Sequence, residues 1–489
     1  MREISKEQVK EKIKILNPHW VQGEVDTDLR KEKRRGYFNI FYPLVISPVQ
    51  RAVILMGPRR VGKTVLLWQT IQNLIDSKRN PKNLFYISLD TPILHPYSLE
   101  SLLDLYKEIF SIKNLKGKVI IFDEIQYVKD WDRQLKVLVD TYPKTKFVAS
   151  GSAASALKRK SVESGAGRFT DFNLPPLTFH EYLDLLDLAE SLIEIKVNKK
   201  GEIIEVIPGN IEKLNPQFIN YINYGGFPEA IFNEEIRKDP QRFIRSDIID
   251  KVLLRDLPSL YGIQDTQELN RLFSFLAFQT GNEVSLEGLS RASGIAKNTI
   301  KKYIEYLEAA FLIRTVNRID DSGKRFKRRN YFKVYLANPS MYSAIYGPVS
   351  EADPATLGNL VETAIFSQWM HQPEVMRNIY YARWKGGKGE VDLVFVDKKL
   401  KIRWCVEVKW SDRYLDSPED LKGLIYFCRK NNINRPIVTT KSKIQLVKRK
   451  NITFRFIESA AYCFIIGHAI ISKKNSEAFL QFAKDHDLA

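Results

Sequence analysis

The residues best suited to chemistry form a glycine-containing loop near the start of the chain. Residues 57–64 read G-P-R-R-V-G-K-T and come directly after the apolar run at 52–55. A loop between a buried strand and a helix N-terminus points successive backbone N–H groups at phosphate oxygens. A lysine there reaches the β- and γ-phosphates, and a threonine hydroxyl ligates Mg²⁺. The predicted nucleoside triphosphate site comprises Gly57, Pro58, Arg59, Arg60, Val61, Gly62, Lys63, Thr64 and Val65.

A carboxylate pair ends the apolar run at residues 118–122. If this run is a strand parallel to the one before the phosphate loop, its tip lies beside that loop. Asp123 is then placed to organise Mg²⁺ together with Thr64, and Glu124 is placed to act as the general base on the attacking water. A solvated acidic pair at a strand end is the alternative.

The elements that must position these residues alternate along the chain. A strand at 84–89 and a helix at 99–109 separate the loop from the acidic pair, and a further strand follows at 146–149. This alternation predicts a parallel sheet with flanking helices and with ligands at the strand C-termini. Ser150 follows the last of these strands, where it either senses the γ-phosphate or belongs to an ordinary turn.

A third chemical group lies in the last part of the chain. A hairpin over residues 389–409 places Asp392 near Glu407 and Lys409. With Glu362 on the preceding helix, these residues predict a divalent-metal site. Asp392 and Glu407 would hold Mg²⁺, and Lys409 would orient or polarise the attacking water. The alternative is a binding platform whose acidic residues are solvated.

The charge balance favours a polyanionic partner. The 489 residues contain 76 lysines and arginines against 58 acidic residues, a net charge of +18. Such an excess is typical of nucleic-acid binding, although a lysine-rich proteome would produce the same balance. Clustering favours the first interpretation, because residues 324–333 hold six basic side chains among three aromatic ones.

Two predicted helices at 284–294 and 295–307 precede a predicted hairpin at 312–336, the pattern of a winged helix. The second helix carries apolar residues on one face and basic ones on the other. The alternative role for this fold is packing or oligomerisation, but the charge favours contact with DNA. The candidate DNA-binding residues are Lys297, Asn298, Lys301, Lys302, Lys324, Arg325, Lys327, Arg328 and Arg329.

These motifs resemble those of the AAA+ ATPases of bacteria and archaea. The resemblance is carried by GPRRVGKT, DEIQ at 123–126, Trp131, SGSAAS at 150–155 and Gly167-Arg168-Phe169. More narrowly, the chain resembles a prokaryotic ATP-binding family that joins an AAA+ core to a poorly characterised C-terminal domain. That family's pattern is also similar to LPPLTFHEYL at 174–183, GGFPEA at 225–230 and LLRDLPSLYGI at 253–263.

The resemblance implies ATP and Mg²⁺ as cofactors and a homo-oligomer in which a neighbouring subunit supplies an arginine. Arg168 is the residue to which this role is transferred, and a surface salt bridge is its alternative. Separately, Glu362, Asp392 and the Glu407-Val408-Lys409 string resemble the PD-(D/E)xK nuclease superfamily, with Glu390 and Val391 departing from its Pro-Asp pair.

The predicted fold class is a multidomain α/β protein. Its expected domains are a basic N-terminal lead-in (1–47), an AAA+ P-loop core (48–176), a helical lid-like region (177–279), a winged helix (280–339) and a PD-(D/E)xK-like domain (340–489). The lid-like region contains an inserted hairpin at 193–207 to which no role is assigned. Residues 34–38 either contact the nucleotide base or form a solvated loop, and the solvated loop is the favoured interpretation.

Composition argues against a membrane or secreted protein. The most apolar stretch, at 462–471, is interrupted by Gly467 and His468. The charged N-terminus lacks a signal-peptide apolar region. The three cysteines, Cys405, Cys428 and Cys463, have neither metal-site spacing nor an even number for disulfides. The cytoplasm is therefore the expected compartment.

The leading hypothesis is an oligomeric, Mg²⁺- and ATP-dependent protein that acts on duplex or branched DNA in repair, recombination or defence. A second hypothesis is a regulatory ATPase switch whose C-terminal domains bind a protein partner or DNA without cleavage. A third is an endonuclease gated by ATP.

Overall fold

A computed structural model of the protein describes residues 5–152, 167–197, 203–326, 330–384 and 389–471. The chain divides into two compact units, Met1–Pro175 and Pro176–Ala489. Within the described ranges, no helix is both long and apolar enough to cross a membrane. The candidate DNA-binding residues Lys327, Arg328 and Arg329 lie outside the described residues, as does the turn of the predicted hairpin at 193–207.

The first unit is built on a sheet of five parallel strands in the order β2-β3-β4-β1-β5. The strands are β1 (Ala52–Gly57), β2 (Leu84–Ser88), β3 (Val119–Asp123), β4 (Lys146–Ser152) and β5 (Phe169–Asn173). The three strands β1, β3 and β4 are almost entirely buried, as expected where helices cover both faces of a parallel sheet. The predicted parallel sheet with flanking helices is confirmed.

Four α-helices precede the sheet in the described part of the first unit, and these are Lys6–Ile15, His19–Gln22, Thr27–Arg30 and Phe38–Ile46. Three more lie between the strands, and these are Lys63–Asp76, Leu99–Ile109 and Trp131–Thr141. The first begins at a capping box between Ser5 and Gln8 and buries Val9 and Ile13 in the core that covers the sheet. The described part of the predicted basic lead-in (1–47), residues 5–47, therefore packs against the rest of this unit, because its apolar residues recur at helical spacing.

The second unit begins with two helices, which an antiparallel two-stranded hairpin follows, β6 (Ile193–Val197) and β7 (Ile203–Pro208). Two segments, Gln241–Asp250 and Val252–Asp256, are π-helical. The α-helices of this unit are Phe179–Leu185, Ala189–Leu192, Ile211–Tyr224, Pro228–Phe232, Glu234–Lys238, Leu257–Tyr261, Thr266–Phe278, Leu286–Ser293, Lys297–Ala309, Ser340–Tyr346, Pro354–Trp369, Pro373–Met376, Arg413–Asp416, Lys422–Lys430 and Ser459–Ile471.

A nine-stranded sheet organises the rest of this unit, in the order β15-β16-β14-β13-β12-β11-β9-β10-β8. Its strands are β8 (Glu283–Ser285), β9 (Ile313–Ile319), β10 (Tyr331–Leu336), β11 (Ile379–Trp384), β12 (Gly389–Val396), β13 (Ile402–Glu407), β14 (Ile437–Thr440), β15 (Gln445–Arg449) and β16 (Ile452–Glu458). The strands β9 and β11 join in parallel at Tyr381 with Arg318 and at Ala382 with Ile319. One sheet therefore runs through the segments expected to be separate domains at 280–339 and 340–489.

Two of the family-like strings meet in the interior of the second unit at Tyr221. The Tyr221 hydroxyl donates to the Leu177 carbonyl at 2.9 Å and accepts from Gln368 Nε2 at 3.0 Å and from Asn338 Nδ2 at 3.2 Å. Leu177 N–H in turn donates to the Gly226 carbonyl at 2.9 Å. LPPLTFHEYL and GGFPEA therefore share a buried polar junction, which gives them a structural role.

Candidate functional site

The phosphate loop forms between the end of β1 and the helix Lys63–Asp76. Gly57 passes so close to the chain that a Cβ there would lie 2.4 Å from the Leu174 carbonyl oxygen, and Gly62 adopts a positive φ of 91°. Both positions therefore need glycine. The buried Lys63 ammonium donates to the carbonyl oxygens of Gly57 at 3.2 Å and Pro58 at 2.9 Å. The lysine thus lies over the loop whose N–H groups would receive a phosphate.

Asp123 collects three hydroxyl groups at the tip of β3. Thr64 Oγ1 and Tyr86 OH each donate to Asp123 Oδ2 at 2.8 Å, and Ser150 Oγ donates to Asp123 Oδ1. Burial, and then the charge of Glu124, raises the pKa of the Asp123 carboxyl, while the three hydroxyl donors oppose this shift. Thr64, Asp123 and Ser150, which come from separate parts of the sequence, are brought together.

This arrangement fits Mg²⁺ that is delivered with a nucleotide. One hydroxyl oxygen and one carboxylate, from the helix start and the neighbouring strand tip, are the protein ligands that such an ion uses beside phosphate oxygens. A divalent cation would also favour the ionised form of the buried Asp123 carboxyl. The residues present therefore suit the cofactor pair that the sequence predicts.

Glu124 is held at a fixed position beside this group. Its φ is +54°, and its N–H donates to Asp123 Oδ1 at 3.1 Å and to Ser150 Oγ at 3.2 Å. Gln126 Nε2 donates to the Glu124 carboxylate, while Gln126 Oε1 accepts from Ser152 N–H at 3.2 Å. The Gln126 amide thus ties the candidate general base to the end of β4.

Two residues of this site were not identified from the sequence. Tyr86 lies inside an apolar strand, two residues before Ser88, which pairs with Asp123, and its polar hydroxyl was the available signal. Gln126 was part of the DEIQ motif, but no role followed from the motif alone. Their roles depend on side-chain directions that become visible only in the folded sheet.

Arg35 supports the phosphate loop from the N-terminal segment. Its guanidinium is buried, and Nη1 donates to the carbonyl oxygens of Val61 at 3.0 Å and Pro175 at 2.9 Å. The favoured interpretation of residues 34–38 as a solvated loop is wrong for Arg35, because these two carbonyls hold it inside. Arg34 is exposed and lies over the Phe38 ring at 4.6 Å.

Arg168 lies immediately before β5, at the end of the sheet where the parallel strands begin. The phosphate loop lies at the other end, where β1 finishes. The Arg168 carbonyl accepts from Ala52 N–H at 2.9 Å, at the beginning of β1. The half-exposed guanidinium Nε lies 3.0 Å from Asp140 Oδ1. Arg168 therefore does not reach the phosphate loop of its own chain, and its action on a neighbouring subunit stays a prediction.

The helix Lys297–Ala309 has two contrasting faces. Ile300, Tyr303, Ile304 and Leu307 are buried. The candidate DNA-binding residues on the other face are all exposed, and these are Lys297, Asn298, Lys301 and Lys302. Lys324 and Arg325, between β9 and β10, are also exposed, and Arg325 lies over the Tyr380 ring at 4.9 Å.

The four polar residues predicted for a nuclease-like site lie around the β12–β13 pair. Leu393 pairs with Val406, which places Asp392 across from Glu407. Lys409 Nζ lies 2.8 Å from Glu407 Oε1 and 3.8 Å from Asp392 Oδ2. Glu362 approaches from the helix Pro354–Trp369 and is buried. Burial, and then the charge of Asp392, raises the pKa of both Glu362 and Glu407 to about 7.

A lysine that was expected at the surface enters this group. Lys333, at the end of the basic and aromatic run 324–333, is only 2% exposed and contacts three carboxylates. Among the described residues, no group of three or more His, Cys, Asp or Glu is arranged to hold a metal ion. Asp392 and Glu407 lie across from each other on β12 and β13, and their role as Mg²⁺ ligands stays a prediction.

The strand order of the first unit, its phosphate loop and the contact of Thr64 with Asp123 define a P-loop nucleotide-binding domain of the AAA type. In agreement, the AAA domain family model matches residues 49–183. The predicted AAA core is confirmed by this match. A domain of unknown function (DUF8612) matches residues 215–351.

Relatives that cover between 58% and 80% of this chain occur in archaea and bacteria. The uncharacterized protein MJ1544 of Methanocaldococcus jannaschii is 27% identical over 402 residues, which cover 79% of this chain and 81% of that protein. The uncharacterized protein MJ1637 of the same organism is 26% identical, over 80% of this chain and 84% of the relative. An uncharacterized protein of Haemophilus influenzae is 26% identical, over 58% of this chain and 66% of its own length.

The crystal structure of Cdc6p from Pyrobaculum aerophilum aligns with 70% of this chain and 93% of its own. The identity is 15% and the TM-score is 0.27, a similarity too low to define a shared fold.

Proposed function

We propose that this chain hydrolyses ATP and that its nucleotide state controls an action on duplex or branched DNA. The observation that supports the ATPase assignment is the contact of Thr64 with Asp123 beside a complete phosphate loop. These are the two protein groups that hold Mg²⁺ in P-loop enzymes. When bound, Mg²⁺ would neutralise charge on the phosphate oxygens.

The residues of the chain supply the other parts of the reaction. The N–H groups of the loop and the Lys63 ammonium bind the phosphates and orient them. Glu124, next to Asp123, accepts a proton from the attacking water or polarises it. Ser150, which donates to Asp123, is placed to respond to the γ-phosphate. Release of Glu124 from Gln126 would free the carboxylate for this task.

The exposed face of the helix Lys297–Ala309 supports the DNA assignment. Its four polar residues project from a helix whose other face is buried, and two further basic residues lie on the adjoining hairpin. Basic side chains on one helix face suit phosphate and groove contacts, and their binding is steeply salt-dependent. Repair, recombination and defence are processes in which such a protein would work.

The ATPase is proposed to act as a homo-oligomer. Arg168 is at the sheet edge away from its own phosphate loop, and its side chain is 45% exposed. An arginine that serves a neighbouring subunit stabilises transition-state charge there.

The test is ATP hydrolysis by the purified chain with linear duplex, single-stranded and branched DNA. We expect one DNA form to stimulate hydrolysis, and Lys63→Ala to abolish it. The triple variant Lys297→Ala, Lys301→Ala, Lys302→Ala should lose the stimulation but keep DNA-independent turnover. The control variant Lys398→Ala, Lys399→Ala, Lys401→Ala removes the same charge from an exposed turn. Turnover that is indifferent to every DNA form would refute the DNA assignment.

A second candidate is a regulatory switch that binds a protein partner or DNA without cleavage. It is favoured by the Lys333 ammonium among the carboxylates of the nuclease-like site. Stimulation of ATP hydrolysis by one DNA form separates the leading proposal from this switch, and incubation of the same DNA forms with Mg²⁺ or Mn²⁺, followed on gels, tests for cleavage. Cutting that disappears in Asp392→Ala would instead establish the endonuclease.

A further inference from the structure

A buried lysine sits at the centre of the carboxylate group in the second unit. Lys333 Nζ lies 2.8 Å from Glu362 Oε1, 2.7 Å from Glu390 Oε1 and 3.2 Å from Asp392 Oδ1. The three carboxylates come from one helix and from β12, whereas the lysine comes from β10. One positive group therefore joins elements that are distant in the sequence.

The surrounding residues fix both the lysine and its partners. Tyr335, two residues further along β10, donates to Glu362 Oε1 at 2.6 Å. Asp392 Oδ2 accepts from Val408 N–H at 2.9 Å. Lys333 itself is paired with Glu283 of β8 and Val316 of β9, so β10 is an interior strand at this point. The ammonium can move away from the carboxylates only if the Lys333 side chain rotates or β10 shifts.

The charges explain why a cation is required there. Buried carboxylates that lose water must be neutralised by protons, by hydrogen bonds or by a cation. Burial acts to lower the pKa of Lys333, but the charges of its acidic partners outweigh burial and keep the lysine protonated. Lys409 neutralises the other side of the group through Glu407. Two ammonium groups, Lys333 and Lys409, therefore neutralise part of the charge of the four carboxylates Glu362, Glu390, Asp392 and Glu407.

The same carboxylate oxygens would be the ligands of a divalent ion. Mg²⁺ binds carboxylate oxygens at about 2.0–2.1 Å. A bound ion would therefore lie between these carboxylates, at the centre of the group. An ammonium within 3.2 Å of three of these carboxylates takes that volume and that charge. Among the described residues, Glu407 Oε2 is buried and has no hydrogen-bond partner, so one acceptor of the group remains unused there.

We propose that Lys333 is the resident cation of this site and that it keeps divalent metal out of the carboxylate group. The Lys333 ammonium, carried by β10, thereby closes the site to metal ions, and removal of the ammonium opens it. This inference is independent of the ATPase and DNA assignments, because it concerns only Lys333 and the carboxylates and ammonium group around it.

The test is Mn²⁺ binding to the full, nucleotide-free chain by calorimetry. Asp123→Asn is present in every sample so that the phosphate loop does not contribute a metal site. We expect Lys333→Met to bind one Mn²⁺ at least tenfold more tightly than the Lys333 protein, and the double variant Lys333→Met, Asp392→Asn to lose this binding. The matched control Lys324→Met removes an exposed lysine nearby and should change nothing.

Two results would overturn the proposal. One is a folded Lys333→Met protein that binds Mn²⁺ no better than its parent. The other is a site in the Lys333 protein that already binds Mn²⁺ and loses it on Asp392→Asn. This second comparison requires no change at Lys333, so it decides the proposal even if Lys333→Met fails to fold.

Discussion

The Thr64 hydroxyl donates a 2.8 Å hydrogen bond to the Asp123 carboxylate. The two residues are distant in the sequence, and the parallel pairing of β1 with β4 and of β4 with β3 brings their strand ends together. A hydroxyl and a carboxylate in contact are ready to share an ion without rearrangement of the backbone. The Thr64 hydroxyl is therefore a direct target for substitution.

Thr64→Ala should lower the Mg²⁺-dependent rate of ATP hydrolysis by about tenfold or more, because the ion loses a ligand. Thr64→Ser keeps the hydroxyl and should retain most of the rate. Steady-state hydrolysis across a Mg²⁺ titration measures both variants. A Thr64→Ala protein with wild-type kcat and Mg²⁺ dependence would show that the hydroxyl serves only the hydrogen bond to Asp123.

Glu124→Gln should lower kcat by about 10²–10⁴-fold, the range for loss of a general base, while ATP still binds. Binding of a fluorescent ATP analogue and single-turnover hydrolysis separate the two effects. Gln126→Ala is the informative partner, since it frees the Glu124 carboxylate without removing it. Gln126→Ala should therefore retain turnover, and loss of turnover equal to that of Glu124→Gln would mean that Gln126 positions the base.

The phosphate loop, Thr64 and Asp123 were predictable because their positions obey general rules of parallel sheets. A glycine loop must follow a strand and begin a helix, and the tips of parallel strands gather at one edge. The closure of the carboxylate site by Lys333 was not predictable. Lys333 belongs to a run that looks basic and exposed, and its burial depends on the order β12-β11-β9-β10, which no pattern within one strand reveals.

The joining of the predicted domains in one sheet has a similar origin. The pairing of β9 with β11 involves two residue pairs, Tyr381 with Arg318 and Ala382 with Ile319. Neither the sequence of β9 (IRTVNRI) nor that of β11 (IYYARW) specifies the other strand as its partner, so each fits an independent domain equally well. The burial of Arg35 was also not predictable from the sequence. Its guanidinium donates to backbone carbonyls, and every residue has a backbone carbonyl, so residue types do not reveal these partners.

Arg168→Ala should lose most ATP hydrolysis if the arginine serves a neighbouring subunit, since such residues contribute about 10³–10⁵-fold to turnover. Lys63→Ala should be inactive by itself. A mixture of the two inactive proteins should recover activity, because a Lys63→Ala subunit still offers Arg168 to the intact site of its neighbour. Absence of recovery in a mixture shown to co-assemble would contradict the shared site.

Tyr221→Phe should destabilise the second unit by about 1–3 kcal/mol, because the variant leaves the Leu177 carbonyl, Asn338 and Gln368 without their shared hydroxyl. Urea unfolding measures the change. The control Tyr331→Phe removes a hydroxyl from a half-exposed ring and should shift stability by less than about 0.5 kcal/mol. Equal stability of Tyr221→Phe and wild type would show that water replaces the hydroxyl.

The buried His19 makes the stability of the first unit depend on pH. The imidazole is fully buried, Nε2 lies 3.0 Å from the Leu84 carbonyl oxygen, and Nδ1 has no partner. Burial lowers the pKa of His19 to about 4, although the bond to Leu84 opposes the shift. The folded protein therefore keeps the ring neutral, whereas the unfolded chain takes up a proton below about pH 6.5. The contribution of His19 is complete above that pH and is lost as the pH falls towards 4.

From pH 7 to pH 5 this loss should reach about 2 kcal/mol. His19→Gln keeps a donor for the Leu84 carbonyl but does not titrate, so its unfolding free energy should fall less over the same range. Trp20 and Trp68, which flank the ring at 6.1 and 5.9 Å, report the unfolding of this region by fluorescence in urea. His95→Asn, at an exposed histidine, should behave like wild type. A His19→Gln protein that loses as much stability as wild type would place the acid sensitivity elsewhere in the unit.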